Sequence, residues 1–255
     1  VNSSGPVVVS IESLTSLIVI DDSLKEISSL SSWGNQTLSF DLSVQDQIPY
    51  FSEVSIRLVV HDSESYQYED TISFFIGTPI TIYEENFDSG LGEWVVDGEW
   101  GLTDEPAIGS YALTDSPNGD YGAELTSVAR LNVDLNLDFI ANPYVSFSAQ
   151  WDIEDGYDFI RFQAYLEEIG WISMQGTYTI TGNGASAQPI GEFGYDGIQS
   201  NWVEDKFYLD QLGGLKPSAF RFIQNSDQFV EGDGFIVDAF SINGYSIGKQ
   251  GDYFP

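Results

Sequence analysis

The densest group of chemically useful side chains in this sequence is the acidic stretch "WDIEDGYD", residues 151–158, where four carboxylates fall within seven positions. An alternating pattern follows at once, with Ile160, Phe162, Ala164 and Leu166 on one face. Carboxylates at the start of a strand can serve as the acid/base pair of a glycosidase, as oxygen ligands for Ca²⁺, or as ordinary solvated surface. The residue types alone leave these three alternatives open.

Four acidic clusters have the composition of calcium sites, although none has EF-hand spacing. Asp also forms turns by bonding its own backbone, so each cluster alone is a weak signal. Asp238 is the most informative because it shares a strand face with Ile236 and Phe240 and should point inward. A buried carboxylate needs a cation or several donors, and Arg161 and Arg221 are the competing partners. The clusters are Glu84, Glu85 and Asp88; Asp115 and Asp120; Asp152, Glu154 and Asp158; and Asp233 and Asp238.

The nucleophiles and metal ligands of most enzymes are scarce in this chain. It has one histidine, His61, no cysteine and no Gly-x-Ser-x-Gly motif. A Ser-His-Asp triad would need His61 beside an activated serine, and a histidine-based zinc site needs more than one histidine. The sequence therefore predicts no catalytic centre in this chain.

The charge balance excludes several partners. With 40 acidic residues against 8 basic ones, the formal net charge is −32, which repels nucleic acid and anionic lipid. No apolar run approaches the ~18 residues of a membrane-spanning helix, so no membrane insertion is expected. The sequence begins at Val1 in the middle of a strand-like pattern, and we expect the chain to be a processed or excised fragment.

The elements that position these residues follow a period of two along nearly the whole chain, which predicts an all-β protein. Residues 1–78 are predicted to form an immunoglobulin-like β-sandwich, including a strand from Leu38 to Val44 and a polar turn over "HDSESYQYED". Gly77 and Pro79 mark a boundary. Residues 82–247 are predicted to form a jelly-roll β-sandwich, and 248–255 a tail or linker. No convincing helical period appears; the short segment "DDSLKEISSL" comes nearest to one.

Five of the six tryptophans lie in the predicted jelly-roll region, residues 82–247. Most of them are expected to fill the core, since Trp151 continues the face of Val145, Phe147 and Ala149. An exposed tryptophan or tyrosine on a jelly roll would instead stack on sugar rings. That alternative describes a carbohydrate-binding or adhesive module of a cell-surface protein.

Five motifs occur in an order that resembles a known family. They are "ENFDSGLGEW", "LTDSP", "WDIE…YD", "YDG…W" and "SD…DGFIVD", spread over about residues 82–245. This pattern is similar to the MAM-like jelly-roll domain found in immune inhibitor A and in secreted bacterial zinc carboxypeptidases. The segment before it is similar to the immunoglobulin-like module that precedes that domain.

The resemblance implies structural calcium, with Asp88 and Asp238 as ligands and with Asp115, Glu154 and Asp158 at matching motif positions. Glu85, in the entry segment, completes the predicted metal-ligand set. The resemblance also implies a non-catalytic accessory region of a secreted multidomain peptidase, with a stabilising, spacing or substrate-engaging role. Its expected partners are the catalytic domain of the same parent protein and a protein or glycan substrate, in an extracellular or cell-surface setting.

Overall fold

The structure is a computed structural model that describes residues 6–30, 34–45, 52–63, 65–132 and 134–247. The chain divides into two compact units, Val1–Thr78 with Tyr245–Pro255, and Pro79–Gly244. The predicted tail at 248–255 lies outside the described residues. Within the described ranges all regular structure is β except for one 3₁₀ helix, which confirms the predicted all-β class.

The first unit is a small sandwich of a four-stranded and a two-stranded antiparallel sheet. The four-stranded sheet has the order β3-β1-β5-β6, and β2 pairs with β4. Its core is built on Ile11, Ile18, Val54 and Ile56, which come from both sheets. The strands are β1 Val7–Ser13, β2 Ile18–Ile20, β3 Leu24–Ile27, β4 Leu42–Val44, β5 Ser52–Asp62 and β6 Gln67–Ile76.

Two local expectations for this unit were wrong. The predicted strand from Leu38 begins only at Leu42, because its partner β2 offers three residues to pair with. The segment nearest to a helical pattern contains β3, whose residues pair with β1, in agreement with the absence of a convincing helical period. The predicted polar turn after His61 is shorter than expected, because β6 starts at Gln67 and pairs with β5 from there. In each case strand pairing outweighs local propensity.

The second unit is a jelly roll of two facing antiparallel sheets, as predicted. One sheet has the order β17-β12-β19-β10-β9 with β7 also paired to β19, and the other has the order β14-β13-β18-β11-β8. Its elements are β7 Ile80–Glu85, β8 Trp94–Asp97, β9 Gly101–Thr103, β10 Ala112–Thr114, β11 Thr126–Asn132, β12 Ile140–Ile153, β13 Phe159–Leu166, β14 Gly170–Ser173, β15 Ile180–Thr181, β16 Phe193–Gly194, β17 Gly197–Tyr208, the 3₁₀ helix Leu209–Leu212, β18 Ala219–Asn225 and β19 Gly234–Ser246.

An aromatic cluster fills the space between these sheets. Phe147 of β12 lies with its ring centroid 5.3 Å from that of Phe162 and 5.1 Å from that of Phe222, both on the facing sheet. Trp94, Trp100 and Trp151 are also buried, which confirms their predicted core role. Burying a side chain of this size contributes about 1.5–3 kcal/mol. The strand alternation therefore sends aromatic residues inward and leaves Arg161, Gln163 and Tyr165 of β13 on the outer face of the five-stranded sheet.

Candidate functional site

The acidic stretch after Trp151 forms a turn that brings three carboxylates together. Oxygens of Glu154, Asp158 and Asp227 lie within 4.8 Å of one another. Among the described residues, this is the cluster of three acidic side chains close enough to share one metal ion. Asp158 is buried and accepts hydrogen bonds from the Tyr121 hydroxyl (2.8 Å) and the Asp227 backbone N–H (2.7 Å). The Tyr121 hydroxyl also accepts the backbone N–H of Glu154 at 3.1 Å.

Of these three carboxylates Glu154 is poorly compensated, whereas Asp227 accepts hydrogen bonds from the Ser186 hydroxyl and the Phe229 backbone N–H, which lower its pKa. None of the salt bridges in the described part of the chain reaches them. Oε2 of Glu154 is buried and has no hydrogen-bond partner there. Burial, followed by the charges of Asp227 and Asp158, raises the pKa of Glu154, and burial is also the main cause of the raised pKa of Asp158. The orphaned oxygen and the repulsion among like charges fit the ligand set of a hard divalent cation such as calcium.

The remaining predicted ligands lie outside this trio. Asp88 and Asp238 meet at residues 108–111, where Asp88 accepts the Ser110 backbone N–H (2.6 Å) and Asp238 accepts that of Ile108 (2.9 Å). Asp238 is buried as predicted, and backbone amides, rather than Arg161 or Arg221, are its donors. Oε1 of Glu85 accepts the Phe87 backbone N–H at 2.9 Å. These acids fix backbone turns at one edge of the six-stranded sheet.

Asp115 is a separate buried carboxylate. It is 0 % exposed, and its Oδ1 accepts the Phe235 backbone N–H at 2.7 Å, while Oδ2 has no partner among the described residues. Burial raises its pKa to about 7. The group is therefore held either as the neutral acid near neutral pH or as an anion that needs a further partner.

Sequence reasoning missed Asp205, a fourth fully buried carboxylate. It accepts the Tyr195 hydroxyl and the Thr177 backbone N–H, each at 2.6 Å, and so fixes the loop after β14. The signal was available: Asp205 alternates with Val203 and Phe207 on β17, the same pattern that identified Asp238. Asp227 was also missed as a member of the carboxylate trio, because it lies 69 positions beyond Asp158 along the chain.

The outer face of the five-stranded sheet carries a connected polar network. Here we define the outer face by Arg130, Arg161, Gln163, Tyr165, Trp171 and Arg221. One cross-strand row runs Ser173, Gln163, Arg221, Arg130 and Val95 across β14, β13, β18, β11 and β8.

Hydrogen bonds link the side chains of this row. Arg221 Nε donates to Gln163 Oε1 (2.7 Å), and Gln163 Nε2 donates to Ser173 Oγ (3.0 Å). Glu192 accepts from Ser173 (2.7 Å) and from Arg161 Nη1 (2.6 Å). Burial alone would raise the pKa of Glu192, but these hydrogen bonds and the Arg161 charge outweigh burial and lower it. The side chains are therefore held in place before any ligand arrives.

An indole completes the outer face. Trp171 is partly exposed, and the guanidinium carbons of Arg221 and Arg130 lie 4.2 Å and 5.5 Å from its ring centroid. The Tyr165 ring packs against it edge-on, with centroids 5.2 Å apart. Cation–π contacts of this kind hold both partners in position. Among the tryptophans of the second unit, Trp171 and Trp202 are the two that are not buried, and they lie on different sheets.

A polar cleft adjoins the outer face at Arg161. Its volume is about 550 Å³, and Arg161, Asn225 and Asp227 are among its lining residues. Arg161 Nη2 donates to Asn225 Oδ1 at 2.8 Å, so the cleft continues the network of the face. Ser186, on the opposite wall, donates to Asp227 Oδ2 at 2.6 Å. Of the carboxylate trio, Asp227 therefore borders the cleft.

No family model matches this chain, and no curated protein matches it. Solved structures similar to it include a mannan-recognising carbohydrate-binding module (12 % identity, TM-score 0.35, covering 66 % of this chain and 99 % of that one). A xylan-binding domain from Paenibacillus barcinonensis has 12 % identity and a TM-score of 0.39, and covers 68 % of this chain and 99 % of its own. A protein of a xyloglucan utilization locus in Bacteroides uniformis has 11 % identity and a TM-score of 0.32, and covers 94 % and 69 %. Similarities this distant do not support a conclusion about function. The proposal below therefore depends on the geometry of the site.

Proposed function

We propose that the Pro79–Gly244 unit is a non-catalytic, glycan-binding module of an extracellular protein. The observation that carries this proposal is the outer face, where the guanidinium groups of Arg130 and Arg221 lie beside the partly exposed indole of Trp171, and the buried Gln163 links Arg221 to the Ser173 hydroxyl. Flat sugar rings present apolar faces that suit an indole, and hydroxyls that suit such hydrogen-bonding groups. A site that is already ordered loses little conformational entropy on binding.

The adjoining cleft supports the same proposal. A volume of about 550 Å³ falls in the range of small-molecule sites, roughly 300–1,000 Å³. Its polar lining favours a ligand rich in hydroxyls over an apolar one. A single chain of sugars could then contact Trp171 at one end and Arg161 at the other.

Calorimetric titration with neutral and acidic polysaccharides tests the proposal. We expect binding to at least one glycan and a loss of at least about tenfold, or ~1.4 kcal/mol, in Trp171→Ala. The matched control is Trp202→Ala, which removes a partly exposed indole from the other sheet and should leave the affinity unchanged. Equal losses in both variants, or no glycan binding, would refute the proposal.

We also propose that calcium is bound by Glu154, Asp158 and Asp227 and stabilises the wall of the cleft. The buried orphaned oxygen of Glu154 and the lack of a basic partner in the described part of the chain support this. Bound calcium would supply positive charge to a turn that otherwise holds like charges together. Calcium at Asp88 and Asp238, as the family resemblance implies, stays a prediction.

The parent protein is a separate question. The motif resemblance predicts a secreted zinc carboxypeptidase or related peptidase, with its catalytic domain as partner of this region. A glycan-binding module is compatible with such a parent, because it would hold the enzyme on a substrate surface. Among the described residues no helix is both long enough and apolar enough to cross a membrane.

A further inference from the structure

The outer face concentrates positive charge that is rare elsewhere in the chain. Only 8 basic residues accompany 40 acidic ones, and Arg130, Arg161 and Arg221 are three of the chain's four arginines. Arg130 and Arg221 stand directly opposite each other on β11 and β18. Like charges in that position are destabilising, so the arrangement costs stability in a chain that has few cations to place.

This charge is only partly neutralised. Within the described residues, the salt bridge on this face is that of Arg161 with Glu192, leaving three guanidinium groups to one carboxylate. The Arg161 side chain is 11 % exposed, and its buried Nε has no hydrogen-bond partner there. Burial is the main cause that lowers the pKa of Arg221 to about 10, and the charges of Arg161 and Arg130 lower it further.

We propose that the outer face binds an anionic glycan, whose acidic group lies between Arg130 and Arg221 with its sugar ring beside Trp171. This inference rests on the proposed function and names the class of glycan. The planar guanidinium fork suits the paired oxygens of a carboxylate or a sulfate ester, and charge-assisted bonds are about twice as strong as neutral ones. The shared chemistry is a sugar-borne oxyanion.

The surroundings place that oxyanion at the Trp171 end of the face. At the other end, the cleft is lined by Glu124, which would repel it, and by Asp227, which would repel it in the calcium-free protein. The net charge of −32 does not prevent binding. At physiological ionic strength the screening length is about 8 Å, so distant acids act far less than guanidinium groups in contact with the ligand.

The test is calorimetric titration of the whole chain at constant ionic strength, run in parallel with calcium and with chelator, because calcium cross-links polygalacturonate. The probes are polygalacturonate as a uronate, dextran sulfate as a sulfate ester, xylan and mannan as neutral glycans, and polyglutamate as an acidic polymer without sugar. We expect at least one acidic glycan to bind tenfold or more tightly than both neutral ones. Arg130→Gln and Arg221→Gln should each weaken that binding at least tenfold.

A matched variant and a conservative one separate charge from packing. Lys206→Gln removes one positive charge from the other sheet, where Lys206 lies 4.7 Å from the Tyr144 ring centroid, and should leave the affinity unchanged. Arg130→Lys keeps the charge and should retain more affinity than Arg130→Gln. Thermal melts check folding, and Arg130→Gln should be at least as stable as the wild type because it removes the like-charge pair.

Each outcome decides something. Neutral glycans that bind as tightly, with binding still lost in Trp171→Ala, would overturn this inference and leave the proposed function standing. Polyglutamate bound as tightly as the acidic glycans would overturn the sugar requirement. Failure of every glycan to bind would overturn the proposed function itself. Preference for uronate or for sulfate supports the inference and identifies the source of the oxyanion.

Discussion

Replacing Asp115 with asparagine tests how a fully buried carboxylate is kept in the jelly-roll core. Burial raises its pKa from 3.8 to about 7, so the folded state holds a proton that the unfolded state releases. Because the folded pKa is the higher one, the stability this group contributes is complete below about pH 3.8 and is lost as the pH rises to about 7. At 1.36 kcal/mol per pKa unit, the loss is about 4 kcal/mol.

The assay is urea unfolding of wild type and Asp115→Asn from pH 4 to pH 8 in the presence of chelator. Tryptophan fluorescence follows the second unit, since five of the six tryptophans lie within Pro79–Gly244. Asparagine does not titrate, so the variant should gain about 4 kcal/mol relative to wild type across this range. Its amide N–H, placed where Oδ2 has no partner, costs about 1–3 kcal/mol at every pH and leaves the slope unchanged.

A difference between variant and wild type that stays flat from pH 4 to pH 8 would refute this reasoning. The exposed Asp104, changed to Asn, serves as the control for general charge effects. Calcium adds a second comparison, because a ligating carboxylate must be deprotonated. If Asp115 is a calcium ligand, as the motif resemblance implies, added calcium will remove the pH slope. If it is not, the slope will persist.

Three further outcomes are expected. Calcium at a hundredfold over Kd should stabilise the second unit by about 2.7 kcal/mol and thus raise Tm by roughly 5–10 °C. Glu154→Gln should abolish this shift, and the exposed Glu167→Gln should not. A melt unchanged by chelator would contradict the calcium proposal. Phe147→Ala should lower the free energy of unfolding by about 3–5 kcal/mol in urea titration, and a loss under 1 kcal/mol would show that the aromatic cluster repacks. Arg130→Gln should raise that free energy by up to about 1 kcal/mol while weakening ligand binding, and a destabilised variant would show that the arginine is structural.

Much of the fold follows from alternation alone. Strand β13 coincides with the predicted run Phe159–Leu166, and Asp238 points inward as its strand face requires. Alternation works here because one face of each strand is buried in an aromatic core. Alternation failed to predict where strands begin near Leu38 and Gln67. At both places the extent of pairing with another strand sets the strand boundary, and a single strand's pattern does not show that extent.

The candidate site was harder to predict because strand pairing assembles it from distant residues. Arg130 and Arg221 are 91 positions apart in sequence and face each other only through the β11–β18 register. Asp227 joins Asp158 through a loop that no spacing rule describes. A count of basic residues would have given one clue, since three of four arginines fall on outward positions of strands of the second unit. The sheet order needed to bring them together could not be read from alternation.

Hydrogen bonds to neighbouring residues hold the segment between β14 and β17 in place at two positions. Asp205 fixes Thr177 through a hydrogen bond to its backbone N–H, and the Asp158 backbone carbonyl accepts the side chain of Gln188 (3.2 Å). Between those points the chain is exposed and forms one wall of the cleft. Its sequence and length can therefore vary at little cost to the core, since loop closure depends only weakly on length. If the proposed glycan site is correct, exchanging this one loop should change the ligand preference while the scaffold is left intact.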